Sequence, residues 1–359
     1  MNFTVIPNEI PNDGMLFVDH SLKKRSGHMS HALVEYRPGC VLAFYSNCSG
    51  TRNPYFPGHN GFGWIEYKRS FDYGTTWSQP IVLGYSMDSF INQPFTISCE
   101  KAVSPSENTI VLFCTRNENP NGWEPYLEPV VLRSEDGGET WSDAGLLCQE
   151  KGRVYDALVH EGKIYALQLA CSGFLTDSVD QRYILYVSVD EGRSFEKHSE
   201  LPGEYLNHAY GNIIVRPDGA FIAYTYNQDD EYNMDYYISY DGGKTWPEQG
   251  KSYCTKRIRN PQVARVRGGY ILHGRSGCVD RALPMDLVLY AGDDGIHWDE
   301  GRMLCSRGRE TAYYSNNLVM EMPDGSQRVL IQSSVPYEGA RVNICHWFLT
   351  FDKDKGGSQ

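Results

Sequence analysis

Six short stretches of this chain concentrate side chains able to do chemistry. They are Gly27-His28-Met29-Ser30-His31, Asn92-Gln93-Pro94, Arg153-Val154-Tyr155-Asp156, Asn207-His208-Ala209-Tyr210, Arg259-Asn260-Pro261-Gln262, and Arg309-Glu310-Thr311-Ala312-Tyr313-Tyr314-Ser315-Asn316. Arg116, Asn227 with Gln228, and Arg275 extend the set. Sugar hydroxyls need paired donors and acceptors, ring faces pack on aromatics, and a guanidinium meets a carboxylate through two parallel hydrogen bonds. The combination therefore suits an acidic carbohydrate. Histidine adds a group that exchanges protons near neutral pH, so His31, with His208 and Tyr210 across from it, is a candidate acid or base. The bland alternatives are a mouth that is polar because it is hydrated, arginines paired with carboxylates, and a His31 bonded to a neighbouring backbone carbonyl.

These stretches must be held by a repeated scaffold, and the chain contains one. The pattern Ser-x-Asp-x-Gly-x-x-Trp/Phe occurs at Ser70-Phe71-Asp72-Tyr73-Gly74-Thr75-Thr76-Trp77, Ser134 to Trp141, Ser188 to Phe195 and Ser239 to Trp246. A fifth copy, Ala291 to Trp298, lacks only the serine. Successive copies begin 64, 54, 51 and 52 residues apart. The logic is a hairpin turn: Asp bonds amides ahead of it, Gly accepts positive φ, and the aromatic returns to the core. A strand precedes each copy, and a two-strand hairpin lies upstream, as in Ala32 to Tyr45 around Pro38-Gly39. A sixth unit, from Ser315 through Pro323-Asp324-Gly325 to Thr350, carries no Asp motif. Six units of four antiparallel strands predict an all-β six-bladed propeller. The expected blades are 28–85, 86–147, 148–200, 201–257, 258–306 and 307–352, in one domain spanning 1–359, with an N-terminal strand closing the last blade.

Composition agrees and excludes several classes. With 359 residues and 41% apolar content the chain can build a large core, and its 35 Gly and 25 Tyr fit strands and turns. Thirty-three Lys plus Arg against 45 Asp plus Glu leave −12, with no basic block, so nucleic acid and anionic membranes are not expected partners. No apolar run reaches the roughly 18 to 20 residues of a membrane helix, and the first residues lack a basic segment followed by an apolar one. Ten cysteines lie far apart with no C-x-x-C pair and no Cys/His cluster. They read as buried thiols of a cytoplasmic protein, with neither metal nor cofactor expected.

The five turns resemble Asp-boxes, or BNR repeats, and the chain as a whole resembles the sialidase (neuraminidase) superfamily of six-bladed propellers. In that family the boxes lie on the rim away from the active site, so the resemblance makes Asp72, Asp136, Asp190, Asp241 and Asp293 structural. Ala312-Tyr313-Tyr314-Ser315-Asn316-Asn317-Leu318 ahead of a Pro-Asp-Gly turn resembles the nucleophile segment, which puts Tyr314 at the nucleophile position. Arg281 resembles the third carboxylate-binding arginine, with Arg275 its nearest competitor. Elsewhere the pattern departs: His28-Met29-Ser30-His31 replaces the arginine segment of blade one. Tyr210-Gly211-Asn212 stands where a Glu is expected, and Tyr224-Thr225-Tyr226 where the second arginine is. No Asp follows blade one in Thr51 to Asn60. This resembles a divergent, neuraminidase-like branch.

Three functions follow, in order. The first is an exo-acting glycoside hydrolase on an acidic glycan, with Tyr314 as nucleophile or stabiliser, Glu310 or Asp156 as proton carrier and Arg275 or Arg281 on the carboxylate. Arg153, Tyr155, Arg259, Gln262, Arg116, His208 and Tyr210 complete its binding surface. The second is a glycan-binding or structural propeller without chemistry. The third is a uronate lyase, with His31 or His208 and a Tyr moving protons.

Overall fold

The computed structural model describes residues 1–8, 12–49, 63–92, 95–118, 124–173, 181–276, 285–306 and 313–352. Their strands form six small antiparallel sheets, each with the order expected of a meander. The first strand of each is Leu33–Arg37, Phe95–Ser106, Gly152–His160, His208–Val215, Arg259–Val266 and Ser315–Glu321 in turn. Each of these six touches the next, and the sixth touches the first, so they close a ring. The molecule is the six-bladed propeller expected. Thr4–Ile6 pairs antiparallel with Arg341–Phe351 and supplies the outer strand of blade six. Met15–Val18 pairs with the same strand further along. The described α-helical content is one segment, Gly84–Asn92.

Each blade is covered on both faces, which explains why its strands are apolar at nearly every position rather than at alternate ones. In blade one, Leu33, Val41, Ala43 and Tyr45 pack on blade six beside Met320, Leu330 and Ile344. The alternate residues Val34, Leu42 and Phe44 pack on blade two beside Ile97, Ile110 and Leu112. Four more clusters repeat this between blades two and three, three and four, four and five, and five and six. Each large aliphatic or aromatic side chain buried there contributes roughly 1.5–3 kcal/mol, so the core is a ring of six interfaces and not a central mass. The hub is left to polar residues.

The repeated turns stitch neighbouring blades. In the second copy Asp136 accepts the amide and hydroxyl of Thr140 at 2.9 and 2.6 Å, and Ser134 accepts the amide of Gly138 at 2.8 Å. Asp72, Asp190 and Asp241 do the same in their copies. The carbonyl of Gly138 then receives the Tyr67 hydroxyl of blade one at 2.9 Å. The fifth copy departs from expectation, because the bonding carboxylate is Asp294 and not Asp293. Asp294 accepts the amides of Ile296 and His297, both at 2.8 Å. Losing the serine removes the anchor that orients the motif, and the next carboxylate takes the role. Nine described cysteines are free thiols; Cys278 lies outside the described residues. Among the described residues no helix is long and apolar enough to cross a membrane.

Candidate active site at the hub

Because strands alternate in direction, the starts of the first strands and the ends of the second strands share one face of the disc, and the Asp turns lie on the other. On the first face the inner strands carry an irregularity that no periodic reading reveals. Blades two, three, four and five each lose register there, between Cys99 and Lys101, Val154 and Asp156, Ala209 and Gly211, and Arg259 and Gln262. The extra residues include Glu100, Tyr155 and Tyr210. A bulge leaves such a residue out of the ladder and re-aims its side chain. Left-handed backbone at Ser30, Tyr210, Asn260 and Tyr313, with φ of 70, 49, 54 and 66°, serves the same end in blades one, four, five and six.

The result is a buried cluster of tyrosines and arginines. Arg275, at the end of the second strand of blade five, is 2% exposed and donates from Nη2 to the Tyr210 hydroxyl at 2.8 Å. Its guanidinium carbon lies 4.1 Å from the ring centroid of Tyr314. Tyr314 stands 6.4 Å from the Tyr210 ring and 6.0 Å from that of His28, centroid to centroid. Tyr210 packs edge-on against Tyr155 and Tyr226, at 5.4 and 5.5 Å. Arg259 covers the Tyr226 ring at 5.7 Å, and the Tyr226 hydroxyl donates to the buried carboxylate of Glu231. Arg153 covers Tyr155 at 5.0 Å and pairs with Glu100.

Electrostatics separate the two central phenols. Burial raises both, but at Tyr210 the guanidinium groups of Arg275, Arg259 and Arg153, with a hydrogen bond from Tyr314, outweigh it and hold the phenol below its ordinary value. At Tyr314 burial prevails and the phenol is raised. Tyr210 is thus the more acidic of the pair.

Comparison with known proteins bears on the fold. No protein-family model matches the chain. A curated sialidase of Paraclostridium sordellii is 24% identical over 205 residues, covering 50% of this chain and 48% of that protein. A protein of unknown function from Dyadobacter fermentans superposes with a TM-score of 0.71 at 15% identity, covering 94% of this chain and 98% of its own. The sialidase of Trypanosoma rangeli, solved as a covalent intermediate with 2,3-difluorosialic acid, superposes with a TM-score of 0.61 at 14% identity, covering 95% of this chain and 57% of its own. The chain has the sialidase fold. It spans about half the length of the curated and the trypanosomal sialidase.

Within this sialidase fold the sequence candidates divide. Tyr314, Tyr210, Tyr155, Arg153, Arg259 and Arg275 converge. Gln262 is buried in the inner strand of blade five, opposite His273. Arg281 and Glu310 lie outside the described residues. Arg116 sits elsewhere: it bonds the carbonyl and carboxylate of Glu128, at 2.7 and 3.2 Å, and lines a lateral cleft with Tyr67 and Trp141. Its place in the strand points it between blades one and two. His208 is held at both nitrogens, by the Leu206 carbonyl at 2.9 Å and Asp235 at 2.7 Å. His31 lies between the His28 carbonyl at 3.3 Å and Gln332 at 3.4 Å, and burial pushes its pKa down to about 4. It is a neutral, enclosed ring, so titration near neutrality is not met there.

Asp156 proves to be a clamp. Its two oxygens receive Lys101 Nζ at 2.8 Å, the Ala157 amide at 2.9 Å, Asn212 Nδ2 at 2.5 Å and the Ile213 amide at 2.8 Å. Asn212 passes the link on by accepting the Val263 amide of blade five at 3.0 Å. All four acceptor positions of the carboxylate are taken. Below this layer the axis widens on the opposite face into a cavity of about 880 Å³ that includes Lys101 and Asn317. Sequence reading missed Glu100, Lys101, Asn212 and Glu231. The signal for the first two was available: two adjacent charges inside the strand Phe95–Ser106.

Proposed function

We propose that this chain is a carbohydrate-active sialidase-superfamily protein, an exo-acting glycoside hydrolase on an acidic glycan, with Tyr314 as its nucleophile. The observation that carries the reading is Arg275 seated against the Tyr314 ring while hydrogen bonded to Tyr210, with Arg259 and Arg153 turned to the same pair. Three buried or half-buried guanidinium groups face two phenols, and Glu100 neutralises one of them. In a chain of net charge −12 this hub is a local excess of positive charge, and a substrate carboxylate balances it. Nucleophilic catalysis divides the displacement into two easier steps, and a phenol is a competent nucleophile once its proton is removed. The covalent intermediate captured in the Trypanosoma rangeli sialidase supports the same chemistry on this fold.

The segments His28 to His31 and Tyr224 to Tyr226 stand where two family arginines are expected, so in this reading the carboxylate is gripped from blades three and five and a different acidic sugar is favoured over sialic acid. The lyase reading loses support because His31 and His208 are both bonded in place. Binding without turnover is the second reading, favoured by the described hub carboxylates Asp156, Glu100 and Glu231 all holding partners. Free thiols suit a reducing compartment, which favours the cytoplasm.

The test is a panel of fluorogenic acidic glycosides, uronides and sialosides. At least one uronide-type substrate is expected to turn over and the sialosides poorly. Tyr314→Phe is expected to lower kcat on the working substrate by on the order of a thousandfold with the fold intact. Unchanged turnover in that variant removes Tyr314 from the mechanism. Ligand binding without turnover in the native protein establishes the second reading.

A further inference from the structure

A tyrosine nucleophile needs a base, and the described hub narrows the choice. Asp156 has no acceptor position left. Glu231 receives Tyr226, Glu100 is paired with Arg153, and His208 and His31 are bonded elsewhere. His28 stands beside the Tyr314 ring at 6.0 Å, and the groups hydrogen bonded to Tyr314 are Arg275, which can only donate, and another phenol, Tyr210.

We propose that Tyr210 is the general base for Tyr314: a phenolate held by Arg275, with Arg259 and Arg153 beside it, that accepts the nucleophile's proton. This rests on Tyr314 being the nucleophile. Tyr210 is the extra residue of the blade-four bulge, at φ 49°, and its carbonyl is fixed by the Tyr183 hydroxyl at 2.7 Å. A left-handed backbone at a bulky aromatic costs roughly 1–3 kcal/mol and persists where the surroundings over-determine it. Here three rings and Arg275 do so.

The groups facing Tyr210 are Arg275, Arg259, Arg153, Tyr314, Tyr155 and Tyr226, with Glu231 behind Tyr226 and Glu100 behind Arg153. Cations outnumber anions, which favours the phenolate at Tyr210; because Tyr314 is held the less acidic of the two, its proton moves to Tyr210 only as its oxygen bonds to carbon and the proton becomes acidic. In the step, Tyr314 Oη bonds to the anomeric carbon and its proton passes to the Tyr210 oxygen. The bond to the departing oxygen breaks, that oxygen keeps the electron pair, and water protonates it. Water then bonds to the anomeric carbon, the acetal bond to Tyr314 Oη breaks with its electron pair on that oxygen, the Tyr210 proton returns to Tyr314, and the proton the water sheds neutralises the hydroxide left when the departing oxygen was protonated.

The experiment is a pH titration of tyrosinate ultraviolet absorbance on the native chain, Tyr210→Phe and Tyr314→Phe, with unfolding curves to establish that each is folded. One tyrosine in the native protein is expected to ionise below the usual value of about 10. Tyr210→Phe removes that step, and Tyr314→Phe moves it upward by deleting the donated hydrogen bond. On any glycoside the native chain cleaves, Tyr210→Phe is expected to lower kcat about a hundredfold, to leave KM within a fewfold, and to flatten the acid limb of the pH profile. A Tyr210→Phe titration superimposable on the native one, or a pH profile with its acid limb intact, overturns the assignment. If the early step is present but no glycoside turns over, the base role falls with the hydrolase reading while the phenolate itself stands.

Discussion

Asp156 illustrates how a hub residue with catalytic credentials becomes architecture. Its carboxylate joins blades two, three and four, through Lys101, its own strand, and Asn212. Removing one member of a buried ion pair leaves the other charged and unsolvated, which costs more than the pair contributes. Asp156→Ala is accordingly expected to lose about 3–5 kcal/mol of unfolding free energy, measured in urea. A loss below about 1 kcal/mol would mean that Lys101 finds water instead and that the carboxylate is available for chemistry after all. Tyr314 and Tyr210 instead meet Arg275 and each other.

At the scale of the element, the Asp turns test whether the repeats hold the ring together or merely decorate it. Gly138 and Gly242 share left-handed φ, 82 and 71°, but their surroundings differ. A Cβ on Gly138 would lie 2.6 Å from Leu42 Cδ1 of the neighbouring blade, whereas one on Gly242 meets open space. Gly242→Ala carries the backbone cost alone, roughly 1–2 kcal/mol. Gly138→Ala adds the interface clash and is expected to lose about 2–4 kcal/mol, read as the difference in Tm between the two variants. Equal losses would show that the turn does not press on blade one. The inner-strand bulges are the functional counterpart of these turns: one end of each strand is tied down and the other is bent to aim a side chain.

For the whole molecule, the polar hub and the ring of interfaces combine to make stability depend on pH. His20 and His31 are buried and held neutral, each pushed down to about 4, and His273 to about 3; burial lowers His346 as well. In the unfolded chain these imidazoles regain their usual value near 6.5. Between about 6.5 and 4 the unfolded state therefore binds protons that the native state refuses, and stability falls as pH falls. The expected loss is on the order of 1.4 kcal/mol per histidine per pH unit within that window, with little change above about 7. Urea unfolding at a series of pH values checks it. Stability that holds or rises on acidification from 6.5 to 5 would mean that these rings accept protons in the folded state.

The blade count, the strand number and the turn positions were legible in the chain because they repeat. A unit that must bury both faces against its neighbours leaves the same apolar and turn pattern each time. The face carrying Tyr314, Arg275 and Arg153 was legible too, since polar stretches interrupt that pattern at one end of every inner strand. What the chain could not disclose was the aim of each side chain. A one-residue bulge puts Glu100 and Tyr210 out of alternation, and composition is unchanged by it. Nor could it show that Asp156 is saturated, because that depends on which groups arrive from other blades, or that Asp294 replaces Asp293, because that depends on how the turn closes. The repeat and its apolar period are local properties written into the order of residues. The partners at the hub are set by six segments, far apart in the chain, that meet only when the ring closes.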